Sequence, residues 1–315
     1  MTYKIAENAR HQAISPPNPS PPAAFMKLLW TTSAALAIVI GSYLAYDAYE
    51  DRKSITETER KHLLSLANVV DRNLGEQLRT SAAMLDGLRE HATVLRPEEA
   101  SATAVDQMRR HLVNGIATTT GVQSLWVVEP DGRLRASSQP DGFDELMEIP
   151  EFAQTLQAAR DPKLLYLSPP FASAAGPFTV AMVKGGGAVR GAPQSAAIAL
   201  LEPAYFVTLL QPMVDSPDMR LAVAHGAGKV LFSTQTSPDA RGKDLSAVPE
   251  SLFNRHLQSG RATSFEIDRV VAASGDRRLI AIQSVWPAGG RANQPLVVSV
   301  HRSAAAVYQD WVSQT

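Results

Sequence analysis

A fourteen-residue stretch that is written twice constrains this chain more than any other feature. Leu125 to Ser138 reads LWVVEPDGRLRASS, and Leu221 to Thr234 reads LAVAHGAGKVLFST, aligned without a gap 96 positions further on. In each copy an apolar run meets a turn cluster closed by glycine, Glu129-Pro130-Asp131-Gly132 in one and His225-Gly226-Ala227-Gly228 in the other. A basic residue, Arg133 or Lys229, then opens a second short run that ends in Ser137-Ser138 or Ser233-Thr234. Two short apolar runs joined by a turn ending in glycine predict a β-hairpin, so the chain predicts the same hairpin twice.

The segments after the two hairpins recur as well. A helical stretch begins at Pro150-Glu151 in one half and at Pro249-Glu250 in the other. Two strand-like runs come next, FTVAMVK (Phe178 to Lys184) and AAIALL (Ala196 to Leu201), then RLIAIQS (Arg278 to Ser284) and PLVVSV (Pro295 to Val300). Strands and a helix recurring in one order predict an α+β fold of two tandem modules with antiparallel sheets, over 122–213 and 214–302.

The segment before the repeats has a different composition. Residues 1–24 are polar and carry Pro16, Pro17, Pro19, Pro21 and Pro22, which predicts a solvated, disordered tail. From Leu28 to Tyr46 nineteen residues carry no charge, with Trp30 near one end and Tyr43 and Tyr46 near the other. That length spans a hydrocarbon core and the aromatics sit at interfacial depth, so residues 25–46 are expected to be a transmembrane helix. A cleaved signal peptide competes with this reading, but Ala35-Leu36-Ala37 lies inside the run and Tyr46-Asp47-Ala48 is a poor cleavage site. A buried helix of a soluble core is the third alternative. Lys4, Arg10 and Lys27 before the span, against Asp47, Glu50 and Asp51 mixed with Arg52 and Lys53 after it, place the N-terminus in the cytoplasm and the rest outside.

Residues 47–121 hold a long amphipathic helix and a connecting one. Leu63, Leu66, Val70, Leu74, Leu78, Ala82, Leu85, Leu88, Ala92 and Leu95 recur in steps of three and four, and Pro97 ends the stripe. The stripe packs within its own chain or, in part, against a second copy, a homodimer through the long helix. Residues 303–315, SAAAVYQDWVSQT, read as an exit helix.

A net charge of -1 and no run of Lys or Arg leave no footprint for nucleic acid. The absence of cysteine removes disulfides, thiolate metal sites and cysteine nucleophiles together. The seven histidines, His11, His62, His91, His111, His225, His256 and His301, form no HExxH and are read as surface or turn residues. Gly185-Gly186-Gly187 follows a strand rather than opening a helix and lacks a following Lys-Ser or Lys-Thr, so it reads as a hairpin turn rather than a phosphate cradle. No nucleophile elbow and no dinucleotide fingerprint is present, so neither enzymatic activity nor a cofactor is expected.

With LYLSPPF, FTVAMVKGG, SAAIALLEPAYFVTLL, RRLIAIQSVW and PLVVSVHRSAAAVYQDW in this order after an anchor and a long helix, the chain resembles a known family. It is similar to the periplasmic double-Cache (PDC, tandem PAS-like) sensor region of bacterial transmembrane receptors such as diguanylate cyclases and sensor histidine kinases. The resemblance covers roughly Asp47 to Thr315 and rests on element order. It implies a signal-transduction receptor of the bacterial inner membrane with its main domain in the periplasm, and a catalytic output, if one exists, beyond Thr315. It implies further that the membrane-distal module, 122–213, holds a small ligand. The Tyr-x-x-Asp of the family's amino-acid binders is absent from FTVAMVK.

Ligand candidates are the strand residues Trp126, Arg135, Tyr166, Ser168, Phe178, Val180, Met182 and Lys184, aromatics with one or two polar anchors for a small organic molecule. Alternation puts Phe178, Val180, Met182 and Lys184 on one face, so Lys184 or Arg135 would meet an anionic ligand. Competing with each is a plainer role: Lys184 as a solvated strand end, Trp126 and Tyr166 as core. The rival function is a membrane-anchored protein-interaction module without a signalling output.

Overall fold

The computed structural model describes residues 23–94, 102–173, 176–186, 188–189, 192–193, 195–234, 242–270 and 275–312. The expected disordered tail lies almost wholly outside these residues, as do Leu95, Pro97 and Gly187. The chain divides into two units, 1–54 and 55–315.

In the first unit the helix α1 (Ala23–Val94) begins, and its side chains from Met26 to Asp47 are all exposed. This stretch is long and apolar enough, by length and composition, to cross a membrane.

In the second unit α1 buries one stripe: Leu63, Ala67, Val70, Leu74, Leu78, Ala82, Leu85, Leu88 and Ala92. Steps of three and four keep these residues on one face, and each fully buried leucine contributes about 1.5–3 kcal/mol. Leu66 is only half-buried, and Ala67 takes the core position beside it. After α2 (Ala102–Thr118) come β1 (Val122–Val128), β2 (Leu134–Ser137), α3 (Phe143–Met147), α4 (Pro150–Ala158), β3 (Leu165–Leu167), β4 (Phe171–Ser173) and β5 (Gly176–Lys184). Then come β6 (Ala188–Val189), β7 (Ala192–Pro193), β8 (Ala196–Leu201) and α5 (Pro203–Leu210). The distal sheet has the order β2-β1-β8-β5-β3, with β4 pairing β5. Gly185 and Gly186 follow β5, and β6 and β7 beyond them form a two-stranded ladder of their own. A Cβ on Gly185 would collide with the carbonyl of Ala159, so only glycine lets β5 end against α4.

The second module continues with β9 (Arg220–His225), β10 (Val230–Ser233), α6 (Leu252–Gln258), β11 (Thr263–Val270), β12 (Arg277–Val285), α7 (Pro287–Gly290), β13 (Leu296–Ser303) and α8 (Ala304–Val312). Its sheet has the order β10-β9-β13-β12-β11, the strand after the helix again lying at the edge. The helix α6 begins at Leu252 behind the Ser251 cap, two residues later than the Glu250 expected near its start, because the Ser251 hydroxyl takes up the Asn254 N–H.

One face of each sheet packs on the α1 stripe, in a single core that includes Leu125, Val127, Met182, Leu201, Leu221, Val223, Ala281 and Val298. The modules also meet directly. Residues 291–293 run along the free edge of β3: Leu165 N–H donates to Arg291 O at 2.7 Å and Asn293 N–H to Leu165 O at 2.9 Å. The Asn293 side chain closes on Leu167, accepting its N–H at 2.9 Å and donating to its carbonyl at 3.3 Å. Lys229 on the second hairpin reaches Glu151 of α4 at 3.0 Å.

At the start of α8, Arg302 holds Glu59 of α1 at 3.3 Å and Asp218 at 3.2 Å. The Thr56 and Tyr308 hydroxyls lie 2.9 Å apart. The exit helix thus buries Val307 in the shared core and hydrogen-bonds to α1.

Candidate functional site

Alternation along the distal strands sends neighbouring side chains to opposite faces of the sheet, and the face turned away from α1 builds the site. It carries Trp126, Val128, Tyr166, Ala181, Val183, Ile198 and Leu200, and is closed by Phe143 and Leu146 of α3, Phe152 of α4 and Phe171 of β4. The Phe152 ring meets Phe143 edge-on at 6.3 Å and Phe171 at 6.1 Å. Tyr166 accepts the Asp161 N–H at 3.4 Å.

Two polar atoms inside this apolar layer have no partner among the described residues: the hydroxyl of Ser124, which is 0% exposed, and the indole Nε1 of Trp126, which is 2% exposed. Ser124 sits two residues before Trp126, opposite Leu200, and therefore shares its face. An unpaired buried donor or acceptor costs about 1–3 kcal/mol, so a group that pairs with them would be held there. Ser168 is also fully buried, but its hydroxyl already accepts the Ala181 N–H at 2.9 Å. At the rim Arg135 lies 3.2 Å from Glu129, and the Ser195 hydroxyl stands between them, 3.5 Å from Arg135 and 3.4 Å from Glu129.

The structure separates the eight residues that the sequence groups together. Trp126, Tyr166, Ser168 and Arg135 belong to the α3–α4 side. Val180 and Met182 instead pack into the core around α1. Lys184 follows them: it is 5% exposed, and its ammonium lies 3.1 Å from Asp86 of α1, so it is not a solvated strand end. Phe178 lies in β5, with its side chain outside the described residues. One cavity therefore cannot be lined by all eight. Phe143, Phe152 and Ser124 were not singled out from sequence, although Ser124 could have been found by stepping two residues back from Trp126.

Two of the histidines read as surface or turn residues lie elsewhere, and a third is in its turn but buried. His225 occupies its hairpin turn but is 1% exposed, because Leu167 of β3 and the Gln294-Pro295 stretch close on that turn, and burial pushes its pKa down to about 4. His256 is buried between the hydroxyls of Ser264 and Ser284, at 2.8 and 2.9 Å, and burial lowers its pKa as well. His301 lies in β13.

No protein-family model matches this sequence, and a search of curated proteins finds no match. Solved structures do match. The extracellular domain of the putative histidine kinase rpHK1S-Z16 aligns with a TM-score of 0.63 at 16% identity, over 81% of this chain and 98% of that one. The periplasmic sensory domain of the Campylobacter jejuni chemoreceptor Tlp1 aligns with a TM-score of 0.65 at 12% identity, over 81% and 98%. The ligand-binding domain of the Pseudomonas aeruginosa PAO1 amino acid chemoreceptor PctB, in complex with L-Arg, aligns with a TM-score of 0.58 at 15% identity, over 80% and 98%. From Ile55 onward the chain therefore has the tandem PAS-like, double-Cache fold of histidine-kinase and chemoreceptor sensor domains.

Proposed function

We propose that this chain is the extracytoplasmic sensing region of a membrane-anchored bacterial receptor, and that it binds a small organic molecule between the distal sheet and α3–α4. The observation that carries this reading is the pair of unpartnered atoms, Ser124 Oγ and Trp126 Nε1, within an aromatic layer. A ligand offering one hydrogen-bond acceptor to the indole N–H and an apolar body to Phe143 and Phe152 suits that layer. Fold neighbours in complex with L-Arg, L-Gln or GABA lend support to a small-molecule ligand. For an amino acid or an anion, Arg135 at the rim offers a cation, and the ligand's carboxylate would compete with Glu129 for it. The apolar part of α1 is the anchor, with the N-terminus cytoplasmic and the modules periplasmic. Ligand binding shifts the receptor only so far as it favours one arrangement of α1 and α8 over the other.

The test is a thermal-shift screen of the detergent-solubilised chain against amino acids, organic acids and small aromatic compounds, followed by titration of each hit. Trp126→Phe, which removes the N–H and keeps a ring, should weaken a hit about tenfold, in keeping with one lost hydrogen bond. A hit that binds Trp126→Phe and Ser124→Ala as tightly as the parent chain would place the ligand elsewhere.

A further inference from the structure

We propose that the proximal module carries a second binding site, for a small oxyanion such as a carboxylate or phosphate, formed by Arg220, Arg278 and His301 on the sheet face turned away from α1. The register places these residues together. Arg220 of β9 is directly opposite His301 of β13, and His301 is opposite Ile280 of β12. Arg278 lies two residues from Ile280 and therefore on the same face, one diagonal step from His301. Arg269 of β11, opposite Arg278, extends the line to a fourth strand. Ile280 belongs to the α6-side core, which fixes the face as the one away from α1.

The cationic groups in this line are not fully matched. Arg269 is paired with Glu266 at 3.1 Å. Among the described residues Arg220 donates only to backbone carbonyls, of Pro217 at 2.6 Å and Met219 at 2.8 Å. Arg278 is 7% exposed; its Nη1 donates to the Asp218 carbonyl at 3.0 Å and its Nη2 stands 3.6 Å from Asp276. Its Nε is buried without a hydrogen-bond partner among the described residues, and so is Nδ1 of His301. The Asp218 carboxylate does not relieve them, being taken by Arg302 and the Ser303 N–H. A buried guanidinium with a vacant donor, beside an imidazole with a vacant nitrogen and a second guanidinium bonded only to carbonyls, lacks one negative group. An oxyanion supplies it, accepting from Arg278 Nε and Arg220 and, once the imidazole is protonated, from His301 Nδ1. In its absence burial and the two guanidiniums, Arg278 then Arg220, hold the His301 pKa down to about 3.

The position gives such a site a lever. His301 immediately precedes Arg302, which ties β13 to Glu59 of α1. Occupancy at the strand end therefore acts one residue away from the joint between the entering and leaving helices, independently of the distal site.

The experiment uses the full chain in a maltoside detergent, which carries no phosphate or carboxylate. Inorganic phosphate and acetate are titrated against chloride at constant ionic strength, with thermal stability and the His301 imidazole NMR signal as readouts. Saturable stabilisation by one of these oxyanions over chloride is expected, with an upward shift of the His301 pKa. Arg220→Gln, which leaves the buried Arg278 in place, should weaken the binding at least tenfold, while Trp126→Phe should leave it unchanged. The absence of any oxyanion-specific stabilisation, or binding undiminished in Arg220→Gln with His301 unmoved, would overturn the proposal.

Discussion

The backbone N–H of Leu125 donates to the hydroxyl of Ser138 at 2.9 Å, and 96 residues later the N–H of Leu221 donates to the hydroxyl of Thr234, also at 2.9 Å. The return bonds match too: Ser138 N–H to Leu125 O at 3.0 Å, Thr234 N–H to Leu221 O at 2.9 Å. The turns repeat the same pairings, Gly132 to Glu129 and Gly228 to His225. These turn and strand-pairing bonds are thus the same in the two modules. Ser138→Ala and Thr234→Val each remove one such side-chain acceptor and should each cost about 1–3 kcal/mol, because the N–H left without it belongs to a buried residue, Leu125 or Leu221. Far from each other, the two losses should add in a denaturant titration of the double variant.

Lys184 and Asp86 form the only ion pair described between the distal sheet and α1. Asp86→Ala leaves the buried ammonium without its carboxylate and should destabilise the chain by about 2–3 kcal/mol, less than for a fully buried pair because Asp86 itself reaches water. Lys184→Met keeps the stem's packing and removes the charge, so it should cost less. If Asp86→Ala proved the milder change in thermal unfolding, the ammonium would have another outlet.

Acid should weaken the fold through His225. Its pKa of about 4 in the folded chain lies below the ordinary histidine value of 6.5. The unfolded chain therefore takes up a proton as pH falls through 6.5, while the folded chain does not until about 4, so stability present above 6.5 is lost as pH falls through that window. The slope of unfolding free energy against pH between these values should flatten by close to one proton in His225→Asn. An unchanged slope would assign the acid lability to other groups.

The hairpins were legible from sequence because their bonds are local: a glycine three residues beyond the turn's first residue and a hydroxyl at the strand end are written within fourteen positions. The amphipathic stripe of α1 was legible for the same reason, its period being a property of one helix. Which face of β5 would meet α1 was not legible. Alternation separates Val180, Met182 and Lys184 from Ala181 and Val183, but both sets are largely apolar, and the partner that decides, Asp86, lies on another element far back in the chain. The strand β11 went unread because Glu266 and Arg269 interrupt its apolar residues, as an edge strand permits. The helix α3 was hidden in an acidic loop, where only Phe143 and Leu146 turn inward. His225 lies in the turn expected of it, but its burial was not legible, since part of what covers it, Leu167 of β3, belongs to the other module.

The residues that run along β3 have one more consequence. A module repeated in tandem repeats its sheet edges, and an open edge is a template on which other chains can polymerise. Residues 291–293, lent by the second module, occupy the outer edge of β3 and hold it with both backbone and Asn293 hydrogen bonds. The duplication therefore brings its own safeguard: one copy closes the edge through which the other would seed aggregates.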